Sequence, residues 1–384
     1  MKRARIPLVV VVALLLLAGA RVETSRAADE DSSPVPVLAY YYIWFQEQSW
    51  DRAKTDYPQL GRYDSDDTEV MRQHIRWAKE AGIDGFIVSW KSTVTLDRRL
   101  ERLIEVASDE DFKLAIIYQG LDFHRDPLPV ERIAADIDHF MAAYGGDPVF
   151  ELFDGPPILI WSGTWEFTPD EIDTVTQTRS LKSGCDWDSD ADPTCVQLLA
   201  TEKNPRGIER LRGLVDGNAY YWSSVNPNTF PGYQEKLDAM SDAVHASNGI
   251  WIAPAAPGFD ARLIGGTSIV DRDGGEMFRR QLDAAYAATP DAIGVISWNE
   301  FSENSHIEPS EMRGMAALEV LADVTGGHPP VLPDLDSSQP DTPALSEQSD
   351  DATGRVLALG MLGAAIGASA IVIARRQRAG APRG

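Results

Sequence analysis

Between positions 37 and 325 the chain alternates brief apolar runs with stretches whose apolar residues recur at helical spacing. The runs are rich in β-branched and aromatic residues, as expected of strands buried on both faces. In order, the pattern predicts strands at Val37–Trp44, Asp84–Trp90, Lys113–Tyr118, Pro157–Trp161, Val196–Thr201, Asn218–Trp222, Ile250–Ala255 and Ile293–Trp298. The helices predicted between them are Thr68–Ala81, Leu96–Ala107, Val130–Tyr144, Pro169–Lys182, Gly207–Val215, Tyr233–Ser247 and Gly275–Ala288, with a closing helix from Glu311 to Val324. Eight strand–helix units in this order predict a (β/α)8 barrel over residues 36–326, the fifth unit being the weakest pattern. A doubly wound open sheet is the other α/β architecture, but no Gly-rich first turn supports it.

The ends carry a different pattern. Lys2, Arg3 and Arg5 precede an apolar run from Ile6 to Ala20, which reads as a secretory signal occupying residues 1–28, with small residues at Ala18-Gly19-Ala20 and Ser25-Arg26-Ala27 as cleavage sites. Residues 327–354 are rich in Pro, Asp and Ser and contain no Lys or Arg, the composition of a flexible tether. The run Val356–Ala374 is uncharged and long enough for a transmembrane helix, here placed at 355–375, and Arg375, Arg376 and Arg378 then open a basic cytoplasmic tail over 376–384. The expected layout is a domain on the outer face of the cell membrane with one anchor. Gly363 and Gly367 suit either a helix dimer or a merely Gly-rich span, so the oligomeric state stays open.

A formal net charge of -24 argues against a nucleic-acid partner, because phosphate binding needs a basic face. No zinc-type Cys or His spacing, Gly-rich phosphate loop or Gly-x-Ser-x-Gly elbow is present. The expectation is therefore chemistry without a cofactor. Cys185 and Cys195 close a small loop in an exported chain, which points to a disulfide. Inside it Asp186, Asp188, Asp190 and Asp192 alternate at a spacing similar to calcium loops, though without the Gly and closing Glu of such loops; a plain acidic loop is the other reading.

In a barrel of this kind chemistry collects at the C-terminal strand ends. The last predicted strand runs into Asn299, Glu300, Glu303, His306 and Glu308, and buried carboxylates are expensive unless they face a cleft and have work to do. Glu300 and Glu303 are close enough to serve one reacting centre, and glycoside hydrolysis requires such a carboxylate pair. Trp44, Trp90, Tyr118, Trp161, Trp222 and Trp298 end predicted strands, and aromatic faces around a barrel mouth suit an oligosaccharide; packing beneath the loops is the alternative for each. Long loops at Phe45–Asp67 and Pro257–Gly274 fall on the same face.

The string Asn-Glu-Phe-Ser-Glu-Asn-Ser-His-Ile-Glu-Pro at 299–309 resembles the signature Asn-Glu-Trp-His-Glu-Gly-Thr-x-Ile-Glu-Pro of glycoside hydrolase family 99, the endo-α-mannosidases and endo-α-1,2-mannanases. Tyr40–Trp44, Gly61–Ser65 with His74, Ala81–Gly85 with Ser89 and Trp90, and Pro257–Asp260 with Arg272–Gly274 are similar to it as well. The resemblance implies a (β/α)8 barrel cleaving α-linked mannosides with retention and without a metal. Carried over by position, Glu300 matches the carboxylate that engages the sugar 2-hydroxyl, and Glu303 the general acid. Sugar contacts would fall to Tyr41, Trp44, Trp90, Tyr118, Gln119, Trp222, Asn299 and His306, with Glu308 structural. Phe301, Ser302 and Asn304 depart from the family's Trp, His and Gly, and Gln119 stands where the family usually places a Glu. A carbohydrate-binding protein that kept the cleft and lost turnover is the competing expectation.

Overall fold

A computed structural model describes residues 35–331, apart from 53, 154, 186 and 188–194. The expected export segment, membrane span, basic tail and most of the tether lie outside the described residues, as do Asp186, Asp188, Asp190 and Asp192. Among the described residues no helix is long and apolar enough to cross a membrane.

The strands are β1 (Val37–Tyr42), β2 (Gly85–Trp90), β3 (Lys113–Gln119), β4 (Ile158–Ser162), β5 (Gln197–Ala200), β6 (Gly217–Ala219), β7 (Ile250–Ala255), β8 (Phe259–Asp260), β9 (Ile269–Val270) and β10 (Ala292–Val295). The helices are α1 (Thr68–Glu80), α2 (Val94–Asp109), α3 (Val130–Ala143), α4 (Pro169–Thr176), α5 (Pro205–Arg210), α6 (Tyr233–His245), α7 (Glu276–Ala287) and α8 (Ala316–Thr325). Eight strands close a barrel in the order β1-β10-β7-β6-β5-β4-β3-β2, with parallel pairing throughout. This is the expected barrel. β8 and β9 form a small antiparallel hairpin in the loop after β7.

Local chemistry explains the elements and their limits. α1 begins where the Asp67 carboxylate accepts the Glu69 and Val70 amides, and it buries Met71, His74, Ile75, Trp77 and Ala78 on one face. It stops at Gly82, whose φ of 81° suits glycine and where a Cβ would collide with Thr325. α4 ends at Thr176 rather than at Lys182, because Ser180 turns to bridge Val196 ahead of β5. α8 starts at Ala316 rather than at Glu311, because the first loop holds the intervening segment: the Glu311 amide donates to Tyr57 O at 2.9 Å and the Met312 amide to Asp56 Oδ1 at 3.0 Å.

The core has two layers. Leu38, Tyr40, Ile87, Ala115, Ile117, Ile160, Leu199 and Ile252 fill the barrel, while residues of opposite parity pack outward against the helices. The disulfide Cys185–Cys195 is formed, with Cα atoms 5.7 Å apart, on the connection between α4 and β5. That connection lies at the strand N-terminal end, away from the mouth.

Candidate active site

β10 ends at Val295, and the chain then folds over the barrel mouth in a turn that bonds to itself. The Ser297 amide donates to Ser305 O at 2.8 Å, the Ile307 amide returns to Ser297 O at 2.8 Å, and the Glu300 amide donates to Ser297 Oγ at 2.9 Å. From outside, Nη2 of Arg272 donates to Asn304 O at 2.8 Å and His306 O at 2.7 Å. The Asp260 amide donates to Glu303 O at 2.8 Å. Glu300 and Glu303 are thereby fixed on a rigid support.

Both side chains are almost wholly enclosed, Glu300 at 2% exposed and Glu303 at 1%. Oε1 of Glu300 accepts the Ser302 amide at 2.9 Å. Oε2 of Glu300 and both carboxylate oxygens of Glu303 have no hydrogen-bond partner among the described residues. Burial pushes the Glu300 carboxyl up to about 7, held back by the Ser302 amide and by Lys54. Burial and the charge of Glu300 drive Glu303 well above the carboxylate range, against a smaller pull from Arg125. Near neutral pH the pair therefore divides its labour: Glu303 keeps a proton and Glu300 is ready to lose one.

Two tyrosines complete the setting. Tyr42, the last residue of β1, and Tyr221, just beyond β6, meet hydroxyl to hydroxyl at 2.7 Å. Burial and then the nearby carboxylates raise the Tyr42 phenol, and burial likewise leads the rise at Tyr221. Tyr42 is held by Asn299, whose Oδ1 accepts the Tyr42 amide at 2.8 Å while its Nδ2 donates to Tyr42 O at 3.0 Å. Nδ2 of Asn299 also donates to the Tyr63 hydroxyl, which donates in turn to Glu308 Oε2 at 2.9 Å. Glu308 further meets Nε2 of His74 at 3.0 Å. Arg99 fastens the first loop to α2, pairing with Asp64 at 2.8 Å and Asp66 at 3.0 Å and donating to Ile43 O at 3.0 Å.

The expected ring of aromatics is corrected by strand parity. Side chains facing into the barrel at its mouth are Tyr42, Ser89, Gln119, Ser162 and Tyr221, whereas Tyr41, Trp90, Tyr118 and Trp161 point to the helices. Tyr41 bonds to His74 at 3.0 Å and stacks on Phe86; Trp90 donates to Asp97 at 3.0 Å; Tyr118 donates to Asp136 at 2.9 Å. Trp90, Tyr118, Trp161 and Trp298 are fully buried and offer no face to a ligand. Trp222 also lies on the outer side, between Phe230 and Tyr233, on the wall of a separate groove of about 420 Å³. Trp44 remains at the mouth, half-buried against Tyr42 at 4.2 Å.

Two further expected sugar contacts are occupied otherwise. The Asn299 amide is spent on Tyr42 and Tyr63. His306 is buried beneath the turn, stacked on Phe301 at 4.0 Å, with Nε2 3.4 Å from Asp56. Burial brings this imidazole down to about 3, so it stays neutral. Gln119 does face the mouth, donating to Ser89 at 3.0 Å. Sequence reasoning missed Tyr221, Lys54 and Arg125, and it chose Tyr41 where Tyr42 faces inward. β1 is buried along its whole length, so its sequence does not mark which tyrosine faces inward, and the cations lie on loops, where no periodicity marks them.

The three departures from the family string fit the backbone. Asn304 has φ of 52°, the left-handed region that glycine or asparagine occupies with least strain. Ser302 donates its amide to Glu300 Oε1 at 2.9 Å, and both its amide and its hydroxyl lower the Glu300 pKa. Phe301 is packed in the aromatic cluster of Phe45, Trp50 and Tyr63. Among the described residues, no three His, Cys, Asp or Glu side chains group as metal ligands.

The family model for glycosyl hydrolase family 99 matches residues 38–325, the whole described barrel. The chain belongs to glycosyl hydrolase family 99. That family membership places it among the glycoside hydrolases. A glycoprotein endo-α-1,2-mannosidase-like protein of Danio rerio is 24% identical over 275 residues, 67% of this chain and 60% of that protein. A glycoprotein endo-α-1,2-mannosidase of Rattus norvegicus is 22% identical over 349 residues, 76% of this chain and 72% of that protein. The chain spans about three-fifths of the length of the first of these relatives. A solved family 99 endo-α-mannosidase of Bacteroides thetaiotaomicron superposes with a TM-score of 0.65 at 17% identity, covering 77% of this chain and 98% of that one. A second structure of the endo-α-mannosidase, with bis-tris-propane bound, gives 0.62 at 20% identity over 73% and 88%. At these identities the structures bear on the fold alone.

Proposed function

We propose that this barrel is a retaining glycosidase that cuts α-linked, mannan-like polysaccharide or glycan chains, with Glu300 and Glu303 as its catalytic pair. The observation that carries this reading is the pair itself: three buried carboxylate oxygens without protein partners among the described residues, on two groups whose pKa values burial raises, Glu303 further by the charge of Glu300. Hydroxyl-rich sugars supply the partners such oxygens lack.

Glu300 takes the proton of the sugar 2-hydroxyl as that oxygen attacks the anomeric carbon. The glycosidic C–O bond breaks, and the Glu303 proton goes to the leaving oxygen. Water then opens the 1,2-anhydro sugar at the anomeric carbon, giving one proton to Glu303, while O2 recovers its proton from Glu300. Two displacements at one carbon give net retention. The export and anchor segments read from the sequence put this activity at the cell surface.

The test is a screen of α-mannans and α-glucans with product stereochemistry followed by NMR, using wild type, Glu300→Gln and Glu303→Gln. Loss of hydrolysis in both folded variants supports the pair; near-normal turnover in Glu303→Gln sinks it. The near-complete enclosure of both carboxyls favours one second reading, a carbohydrate-binding protein without turnover. Binding of mannan fragments with no product after long incubation would select it.

A further inference from the structure

The chain carries a net charge of -24, yet the loops after β2, β3 and β5 each bring a cation to the mouth. Lys91 follows the last residue of β2, Arg125 lies in the loop between β3 and α3, and Lys203 in the loop between β5 and α5. Arg125 is the unusual member. Among the described residues its Nη1 is buried with no hydrogen-bond partner, and the side chain forms no ion pair within 4 Å. Its φ is 68°, a conformation that is strained for an arginine. The contrast with Arg99 is direct, since that buried guanidinium rests on two aspartates and a carbonyl.

The charges facing Arg125 do not cancel it. Those that act on it are Glu166, which is exposed, and Glu303, which burial keeps protonated; Lys203 adds a like charge. Of the carboxylates on these loops, Asp122 accepts the amides of His124 and Asp126 and also acts on Lys91, Glu202 pairs with Arg210 at 2.9 Å, and Asp126 is exposed. Burial lowers the pKa of Lys91, Arg125 and Lys203, the last to about 8, and at Arg125 it does so beside an unpartnered Nη1. Planar faces accompany them: Lys203 lies 3.4 Å over the Trp165 ring and Lys91 5.8 Å from the ring of Phe123, which is 59% exposed.

We propose that Arg125, with Lys203 near it, binds an anionic substituent of the glycan, a phosphate or a carboxylate, close to the bond that is cut. This rests on the glycosidase reading and names the substrate class within it. A guanidinium presents paired donors that match either anion, and the exposed Phe123 ring offers an apolar face to the sugar that carries it.

The test uses the full chain and one α-mannan oligosaccharide in three forms: neutral, phosphorylated, and with a uronic acid in the chain. An anionic form should be cut with a kcat/KM about tenfold above the neutral one, a preference that shrinks with salt. Whichever anionic form leads identifies the source of the charge. Arg125→Gln should reduce that ratio towards one, and Arg125→Lys should restore part of it. Equal rates on all three forms, or an equal loss on all three in Arg125→Gln, would overturn the proposal while leaving the glycosidase standing. If no form is cut, calorimetry with Glu303→Gln protein decides separately: tighter binding of an anionic form supports the proposal, and equal binding overturns it.

Discussion

The hydroxyls of Tyr42 and Tyr221 lie 2.7 Å apart although their strands stand on different sides of the barrel, and both feel the charges of Glu300 and Glu303. One phenol must donate to the other, which leaves a single hydroxyl hydrogen free for a ligand or a carboxylate. Tyr221→Phe should therefore cost about 1 kcal/mol of stability through the lost bond, and about tenfold in kcat if the free hydrogen serves the reaction. Urea unfolding beside steady-state kinetics separates the two effects.

The carboxylate pair sets a pH dependence. Hydrolysis needs Glu300 ionised and Glu303 protonated, so kcat/KM should rise with pH through a limb near 7 and fall again at higher pH as Glu303 loses its proton. Glu303→Gln should remove the falling limb together with most of the rate, by about 100-fold or more.

The same pair affects stability with a definite sign. Each folded-state pKa lies above its unfolded value, so the folded protein holds extra protons, and stability is lost as pH rises from 4.5 through about 7 and beyond. Glu303→Gln should leave the melting temperature near pH 4 unchanged and raise it at pH 8. A uniform drop at both pH values would show that the carboxyl is held for packing instead.

Asn304 tests the left-handed turn. Asn304→Gly should fold normally, whereas Asn304→Val should cost about 1–2 kcal/mol and displace the carbonyl that Arg272 holds. Thermal unfolding gives the first quantity and activity the second.

Opening the disulfide should cost about 2–3 kcal/mol with little change in kcat, because Cys185 and Cys195 staple the end of the barrel opposite the mouth. Melting curves with and without reductant read this.

The barrel was legible because each strand is a compact apolar run and each helix a 3.6-residue stripe, as in β2 and α1. Glu300 and Glu303 stood out as charges where a buried strand ends. Parity was not legible: Val37–Tyr42 is buried along its whole length, so nothing in Tyr40-Tyr41-Tyr42 says which ring enters the barrel. The assumption that strand-end aromatics line the mouth therefore went wrong at Trp90 and Tyr118, where the inward neighbours Ser89 and Gln119 are polar. Arg125 and Lys54 left no trace, because loops follow no period and their meaning arises only when the strands bring them together.

The Tyr42–Asn299 clasp joins residues 257 positions apart, the first strand to the turn after the last. Tyr42 thus takes its place only when the ring of strands has shut, after nearly every other contact of the barrel exists. During synthesis, a nascent chain that has not yet reached Asn299 has most of the strands but neither the clasp on Tyr42 nor the two acids. Loop closure over so long a span is slow, so recovered activity should lag recovered helicity in refolding. A partly made copy is chemically silent by construction.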